Sequence, residues 1–211
     1  MNRIFLAGLL GGITMFIWQH IAYTVLPLGF TGIRKLPNEK VVLDALQKNI
    51  AENSGFYLFP AWWESNPTDK EYEDTNNFAG KMARYPSGVL VYNAAGSRSA
   101  TLSRWLWVEL LNQLAQAILA VLLLSWTRLT TFIGRVTFVV VVGVIAAIAT
   151  NVGNWNWYGF SLDYTLALMC IQVVGFLCLG LIAALILKRR TFGVVSARRF
   201  LPRIWGAILR D

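Results

Sequence analysis

The stretch WLWVELLNQLAQAILAVLLLSW, residues 105–126, decides the fold class of this chain. Its 22 residues are nearly all apolar. As a helix they reach about 33 Å, which is enough for the roughly 30 Å hydrocarbon core of a bilayer. Three other apolar stretches have similar lengths, at residues 4–25, 136–155 and 164–187. The sequence therefore predicts a membrane all-α fold with four transmembrane helices.

Composition and charge distribution support this prediction and add an orientation. The chain is 56% hydrophobic and 14% charged, which is too apolar for a soluble domain of 211 residues. Residues 28–103 hold eight basic and eight acidic side chains, whereas the segments 1–3, 127–135 and 188–211 together hold ten basic and one acidic. The positive-inside rule then places both termini in the cytoplasm and residues 28–103 outside.

The net charge of +8 needs no nucleic-acid partner to explain it, because the excess lies where the predicted topology requires it. The chain also contains no nucleic-acid-binding motif, so we predict no such partner. The apolar stretches divide the chain into four predicted parts. They are a first transmembrane helix at 1–27, an extracytoplasmic α+β domain at 28–103, transmembrane helices two to four at 104–190, and a basic amphipathic cytoplasmic tail at 191–211.

The inserted segment has the signals of a small folded domain. Asn38 is a candidate helix N-cap, and Gly55 is a candidate for the end of the same helix. Residues 56–59 and 88–92 have strand character and are bounded by Pro and Gly, so we expect two strands that can pair. The polar, acidic stretch 64–77 between them predicts a mobile loop.

The tail combines basic and apolar residues in a way that suits the inner surface of a membrane. We expect it to bind anionic lipid through four residues, while a protein groove is the alternative partner. The four are Arg198, Arg199, Arg203 and Trp205.

Polar residues inside the apolar stretches mark the candidate functional site. Four of them share one face of the second helix, within an arc of about 100°. These four are Glu109, Asn112, Gln113 and Gln116. Polar side chains at matching depth occur on the other three helices. They are Gln19, His20, Tyr23, Thr150, Asn151 and Gln172. Polar groups in lipid must face a partner or a cavity, so we expect one polar layer in the outer half of the bundle.

Two interpretations of this layer compete. In the first, which we favour, the residues are interhelical hydrogen-bonding contacts that stabilise the bundle. In the second, they line a binding site or proton path, with Glu109 as the titrating group. His20 could ligate the iron of a haem or the magnesium of a chlorophyll, but a hydrogen bond to Glu109 or to the layer is the favoured role. We predict no metal and no cofactor, and we expect lipid as a bound component.

Four short strings, LPNE (36–39), SGFYLFP (54–60), PSGVLVY (86–92) and WNWYGF (155–160), resemble those of uncharacterised bacterial four-helix membrane proteins. The resemblance implies a bacterial inner-membrane protein and implies no activity.

Catalytic motifs of the soluble enzyme classes are absent from the sequence, so we expect a protein that is not an enzyme. The leading hypothesis is an accessory or scaffolding subunit of a larger membrane complex, with other membrane subunits as partners and energy-transducing complexes among the candidates. The alternative is a small-molecule or lipid binding or transport component that uses the polar layer. A third hypothesis is a membrane enzyme with Glu109 and His20 as acid and base.

Overall fold

The structure is a computed structural model that describes residues 2–61, 78–97 and 101–187. The elements, in chain order, are α1 (Asn2–Thr24), a 3-10 turn (Leu28–Phe30), α2 (Glu39–Ile50), β1 (Gly55–Phe59), α3 (Phe78–Arg84), β2 (Gly88–Tyr92), α4 (Leu102–Trp126), α5 (Phe132–Tyr158) and α6 (Leu162–Ile186). The predicted tail and the whole of the predicted loop at 64–77 lie outside the described residues.

Four of these helices, α1, α4, α5 and α6, are long and apolar enough to cross a membrane. The small sheet lies between the first and second of them in the chain. This confirms the predicted four apolar helices and the predicted sheet. The α5 helix starts at Phe132, before the predicted apolar stretch at 136–155, because Thr131 caps it. The Thr131 side chain accepts a hydrogen bond from the Gly134 N–H at 3.1 Å.

The four long helices form a bundle in which α1 packs against both α4 and α6, and α5 packs against α6. Each of these pairs is antiparallel. One end of the bundle, called the sheet end, contains the C-termini of α1 and α5 and the N-termini of α4 and α6. The name is used because the inserted strands lie between α1 and α4 in the chain. The α4 helix makes only sparse contact with α5, although residues 127–131 connect them directly.

Small residues on α1 permit the close approach of its neighbours. A Cβ on Gly12 would lie 2.8 Å from Leu114 Cα, and one on Gly8 would lie 3.0 Å from Ile118 Cα. The four-residue spacing of the glycines on α1 therefore matches the four-residue spacing of their partners on α4. Gly11, on the neighbouring face, meets Leu179 of α6.

The apolar core lies in the half of the bundle away from the sheet end. It consists of Ala7, Met15, Ala117, Ala120, Val121, Leu124, Val139, Phe176, Leu179, Ala183 and Leu187. Many large apolar side chains instead point outward, as with Ile133 of α5, which is 75% exposed. A continuous apolar exterior of this kind is what a lipid-facing surface requires.

The inserted segment forms an antiparallel pair in which Gly55 faces Tyr92 and Phe59 faces Gly88. The predicted role of Gly55 as the end of the preceding helix is wrong, because α2 already ends at Ile50 and Gly55 begins β1. Ala51 adopts a positive φ of 54° directly after the helix and turns the chain there.

Asn38 does occupy the predicted N-cap position of α2. Its backbone is left-handed, with φ 52° and ψ 43°, and its side chain makes no capping hydrogen bond. An N-cap normally has extended backbone, which aims the side-chain oxygen at the first turn. Asn38 therefore turns the chain into the helix without stabilising its first turn through the side chain.

Contacts at the sheet end join the inserted segment to the bundle. The rings of Phe56 on β1 and Tyr158 on α5 meet edge to face, with centroids 5.6 Å apart. Gly32 has a positive φ of 78°, and a Cβ there would lie 2.6 Å from Ser161 Oγ at the start of α6. Only glycine suits both that conformation and that space.

A matched pair of substitutions tests the close packing of α1 on α4. Gly12→Ala should lower the free energy of unfolding by about 1–3 kcal/mol, and the thermal midpoint with it. The reason is that the added methyl meets the Leu114 backbone, which cannot move without shifting the helix. Gly153→Ala on α5 is the control, since a Cβ there meets nothing within 4 Å. The measurement is thermal unfolding in detergent, and equal midpoints for both variants would contradict the packing argument.

Candidate functional site

A cavity of about 560 Å³ lies between the four long helices in the half of the bundle next to the sheet end. Its polar lining consists of Gln19, Tyr23, Asn112, Gln113, Gln116, Thr150, Asn151 and Gln172. Its apolar lining consists of Met15, Trp18, Ala146, Leu168, Ile171 and Gly175. The structure thus brings eight of the ten residues of the predicted polar layer to one space. The volume falls within the range of known ligand pockets, which is about 300–1,000 Å³.

The helical periodicity explains which residues reach this space. On α1, Met15, Gln19 and Tyr23 follow one another at four-residue spacing and therefore share a face. On α4, the buried residues after Gln116 are apolar and belong to the core. The cavity begins where this apolar part of α4 ends.

Gln113 is a buried polar side chain of the site and is only 8% exposed. Its amide Nε2 donates to Glu109 Oε1 at 2.9 Å and to Gln19 Oε1, which joins α4 to α1. Within the described parts of the chain, its Oε1 is buried and has no hydrogen-bond partner. A buried acceptor without a donor is unfavourable by about 1–3 kcal/mol.

A second polar group joins α5 to α6. Asn151 Nδ2 donates to Thr150 Oγ1 at 2.8 Å and to Gln172 Oε1 at 3.3 Å. Thr150 Oγ1 also lies 3.1 Å from Gln172 Oε1. The indole of Trp18 adds a link between α1 and α6, since its Nε1 donates to the Ile171 carbonyl at 2.8 Å. These contacts are the interhelical hydrogen bonds that the favoured interpretation of the layer expects.

Two lining amides do not take part in such contacts. Among the described residues, the side chains of Asn112 and Gln116 form no hydrogen bond, although both lie on the cavity wall. Because Asn112 and Gln116 lie four residues apart on one face of α4, their free groups face the same space. The layer is therefore partly a set of helix contacts and partly a wall of free hydrogen-bonding groups.

His20 and Glu109 do not line the cavity. His20 lies 100° around α1 from Gln19, its Nδ1 is 3.0 Å from the Phe16 carbonyl, and its ring packs on the Phe16 ring at 4.3 Å. In the described residues, His20 forms no hydrogen bond with Glu109, and no group of three or more His, Cys, Asp or Glu side chains could hold a metal ion. The four predicted membrane-surface residues of the tail lie outside the described part.

Sequence reasoning missed the apolar lining, and Trp18 in particular. The available signal was its position, because Trp18 lies inside an apolar stretch and directly before Gln19, away from the helix ends where tryptophan is usual in membrane helices.

Chemically, the site offers neutral donors and acceptors. The lining comprises six side-chain amides, one hydroxyl, one phenol and an indole, and none of its fourteen residues is acidic or basic. Such a wall can orient a molecule through hydrogen bonds but supplies no strong base or metal ligand. Binding is therefore the chemistry that the arrangement favours.

Comparison of this chain with protein-family models, with curated proteins and with solved structures gave no match.

The two kinds of lining residue should respond differently to the same substitution. Gln113→Leu should lower the free energy of unfolding by about 1–2 kcal/mol, because Gln19 and Glu109 both lose a donor. Asn112→Leu, the matched control, should stay within about 0.5 kcal/mol of the parent, since it breaks no internal bond. The measurement is thermal unfolding of each variant alone and combined with Gln19→Leu. The comparison gives the energetic coupling of Gln113, and of Asn112, to Gln19. An equal effect of Gln113→Leu and Asn112→Leu would refute this assignment.

Proposed function

We propose that this protein is a multi-pass membrane protein that binds a small molecule or lipid in the cavity between its four long helices. One observation carries the proposal. The cavity wall contains the amides of Asn112 and Gln116, which bond to no other described side chain, beside about 560 Å³ of space. Amides that line a space of this size without a partner in the bundle favour a ligand over structural contacts alone.

The depth of the cavity strengthens this argument. Gln116 lies nine residues along α4 from Trp107, or about 14 Å. If the tryptophans near the sheet end mark the membrane interface, the free amides lie well within the hydrocarbon core. Those tryptophans are Trp105, Trp107, Trp155 and Trp157. Lipid tails offer no hydrogen bonds, so a polar occupant is needed to satisfy the amides.

For the membrane and its orientation, we propose the bacterial inner membrane with both termini in the cytoplasm and residues 28–103 outside. The charge distribution supports this orientation. At the end opposite the strands, Arg128 is exposed in the turn between α4 and α5. Arg135 at the same end donates to the Leu187 carbonyl at 2.7 Å and to the Leu129 carbonyl at 3.0 Å.

Filling the cavity should remove the bound molecule. Ala146→Phe places a ring in the space and should abolish a small-molecule or lipid adduct seen by native mass spectrometry of protein extracted in mild detergent. Ala149→Phe is the matched control, since Ala149 is an exposed residue on the same helix that does not line the cavity. The parent and the control should carry the adduct at equal occupancy. A parent without any adduct, or an adduct that survives Ala146→Phe, would count against the proposal.

The orientation can be tested by cysteine labelling. After Cys170→Ala and Cys178→Ala, a membrane-impermeant maleimide should label Glu52→Cys in intact cells and Arg128→Cys only after lysis, because both positions are exposed but lie on opposite sides of the proposed membrane. Labelling of Arg128→Cys in intact cells with protection of Glu52→Cys would reverse the proposed orientation.

The accessory-subunit hypothesis remains a second candidate because of α2. This helix buries no residue, and Val41 on it is 68% exposed. An apolar surface outside the long helices suits a protein partner. In the same native preparation, a second protein at fixed stoichiometry would support this candidate. The enzyme hypothesis has no comparable support, because no contact in the described residues joins His20 to Glu109.

A further inference from the structure

The chemical class of the molecule that fits the cavity follows from its lining, if the proposed binding function is correct. The first constraint is charge. None of the fourteen lining residues is acidic or basic, and the nearest carboxylate that contacts the wall is Glu109, through Gln113. A phosphate or carboxylate placed here would have no lining cation to pair with, and an ammonium would have no lining anion. Burying an unpaired charge is costly, so the occupant is uncharged.

The second constraint is hydrogen-bond capacity. The Gln113 amide is already engaged, because its Nε2 donates to Glu109 Oε1 and to Gln19 Oε1 and its Oε1 is enclosed by the protein. The amides left for an occupant are those of Asn112 and Gln116, and each can both donate and accept. A hydroxyl does both as well, so it can pair with either end of these amides.

The third constraint is the route into the cavity. Two lining residues are exposed, Asn112 on α4 and Thr150 on α5, and these are the two helices of the bundle that are joined in the chain but make only sparse contact. The cavity thus opens sideways between α4 and α5. The surface beyond this opening is apolar, with exposed Leu111 and Leu119 on α4 and Ile145 on α5. A molecule with a polar head in the cavity can therefore leave its apolar part in the lipid.

We propose that the cavity binds the hydroxyl-bearing head of an uncharged membrane lipid, which enters sideways between α4 and α5 and exchanges hydrogen bonds with the amides of Asn112 and Gln116. Its acyl chains lie along the outer surfaces of α4 and α5.

Three photoactivatable lipids with identical diazirine-bearing chains test this proposal in nanodiscs. The first is a diacylglycerol, the second is the same diacylglycerol with its hydroxyl converted to a methyl ether, and the third is the matching phosphatidic acid. We expect the diacylglycerol to label the protein at least about tenfold more than the other two, the effect of losing one well-placed hydrogen bond. Peptide mapping should place the label on α4 and α5.

Matched variants separate the cavity from the general lipid surface. Asn112→Leu should reduce diacylglycerol labelling severalfold, whereas Asn154→Leu should not, because Asn154 is a half-buried amide of α5 outside the lining. Both variants should fold, and the unfolding midpoint verifies this.

The outcomes distinguish this inference from the function it rests on. Equal labelling by the methyl ether would overturn the requirement for a hydroxyl, and stronger labelling by phosphatidic acid would overturn the uncharged class. In both cases a label lost on Ala146→Phe would leave the proposed binding function intact. Labelling by all three lipids that Ala146→Phe does not change would contradict the binding function as well.

Discussion

The close contact of α1 with its two neighbours is the interaction on which the rest of the bundle depends. Gly8 and Gly12 admit the α4 backbone, and Gly11 on the adjacent face admits Leu179 of α6. In a membrane the hydrophobic effect does not drive one apolar helix onto another, so close van der Waals packing supplies much of the attraction. The helices α1 and α6 therefore each pack closely on two others, with α4 attached mainly through α1 and α5 mainly through α6.

This arrangement accounts for the position of the cavity. Because α4 and α6 both pack on α1, contact with α1 sets the positions of these two helices, while α5 packs closely on α6 and only sparsely on α4. Small and apolar residues close the space in the other half, with Ala120 and Val121 on α4 and Val139 on α5. Near the sheet end, larger amide side chains take their place. Amides can form hydrogen bonds across a gap that apolar side chains would have to fill. The polar layer and the cavity therefore occur together, in the same half of the bundle.

The sequence predicted the helices well and the geometry of the site only in part. Unbroken apolar stretches specify membrane-type helices directly, because length and composition are nearly sufficient in lipid. The shared depth of Gln19, Gln113 and Thr150 was readable from residue positions along the four stretches. The rotation of each helix was not, since α1 is apolar on all sides and its pattern does not show which face turns inward. For that reason the sequence places His20 with the layer, although it lies on a different face from Gln19. The sequence predicts the end of α2 wrongly because the chain turns with a positive φ at Ala51, a residue type that gives no turn signal.

The two hydrogen bonds of Arg135 give this side chain a role beyond its charge. One guanidinium group joins the start of α5 to the last described residue of α6 and to the turn after α4, all at the end opposite the cavity. Leu187 is the C-cap of α6, and carbonyls at a helix C-terminus lack partners within the helix. Arg135 therefore caps α6 from the neighbouring helix, so one basic residue both contributes to the charge at this end of the bundle and satisfies an open helix terminus.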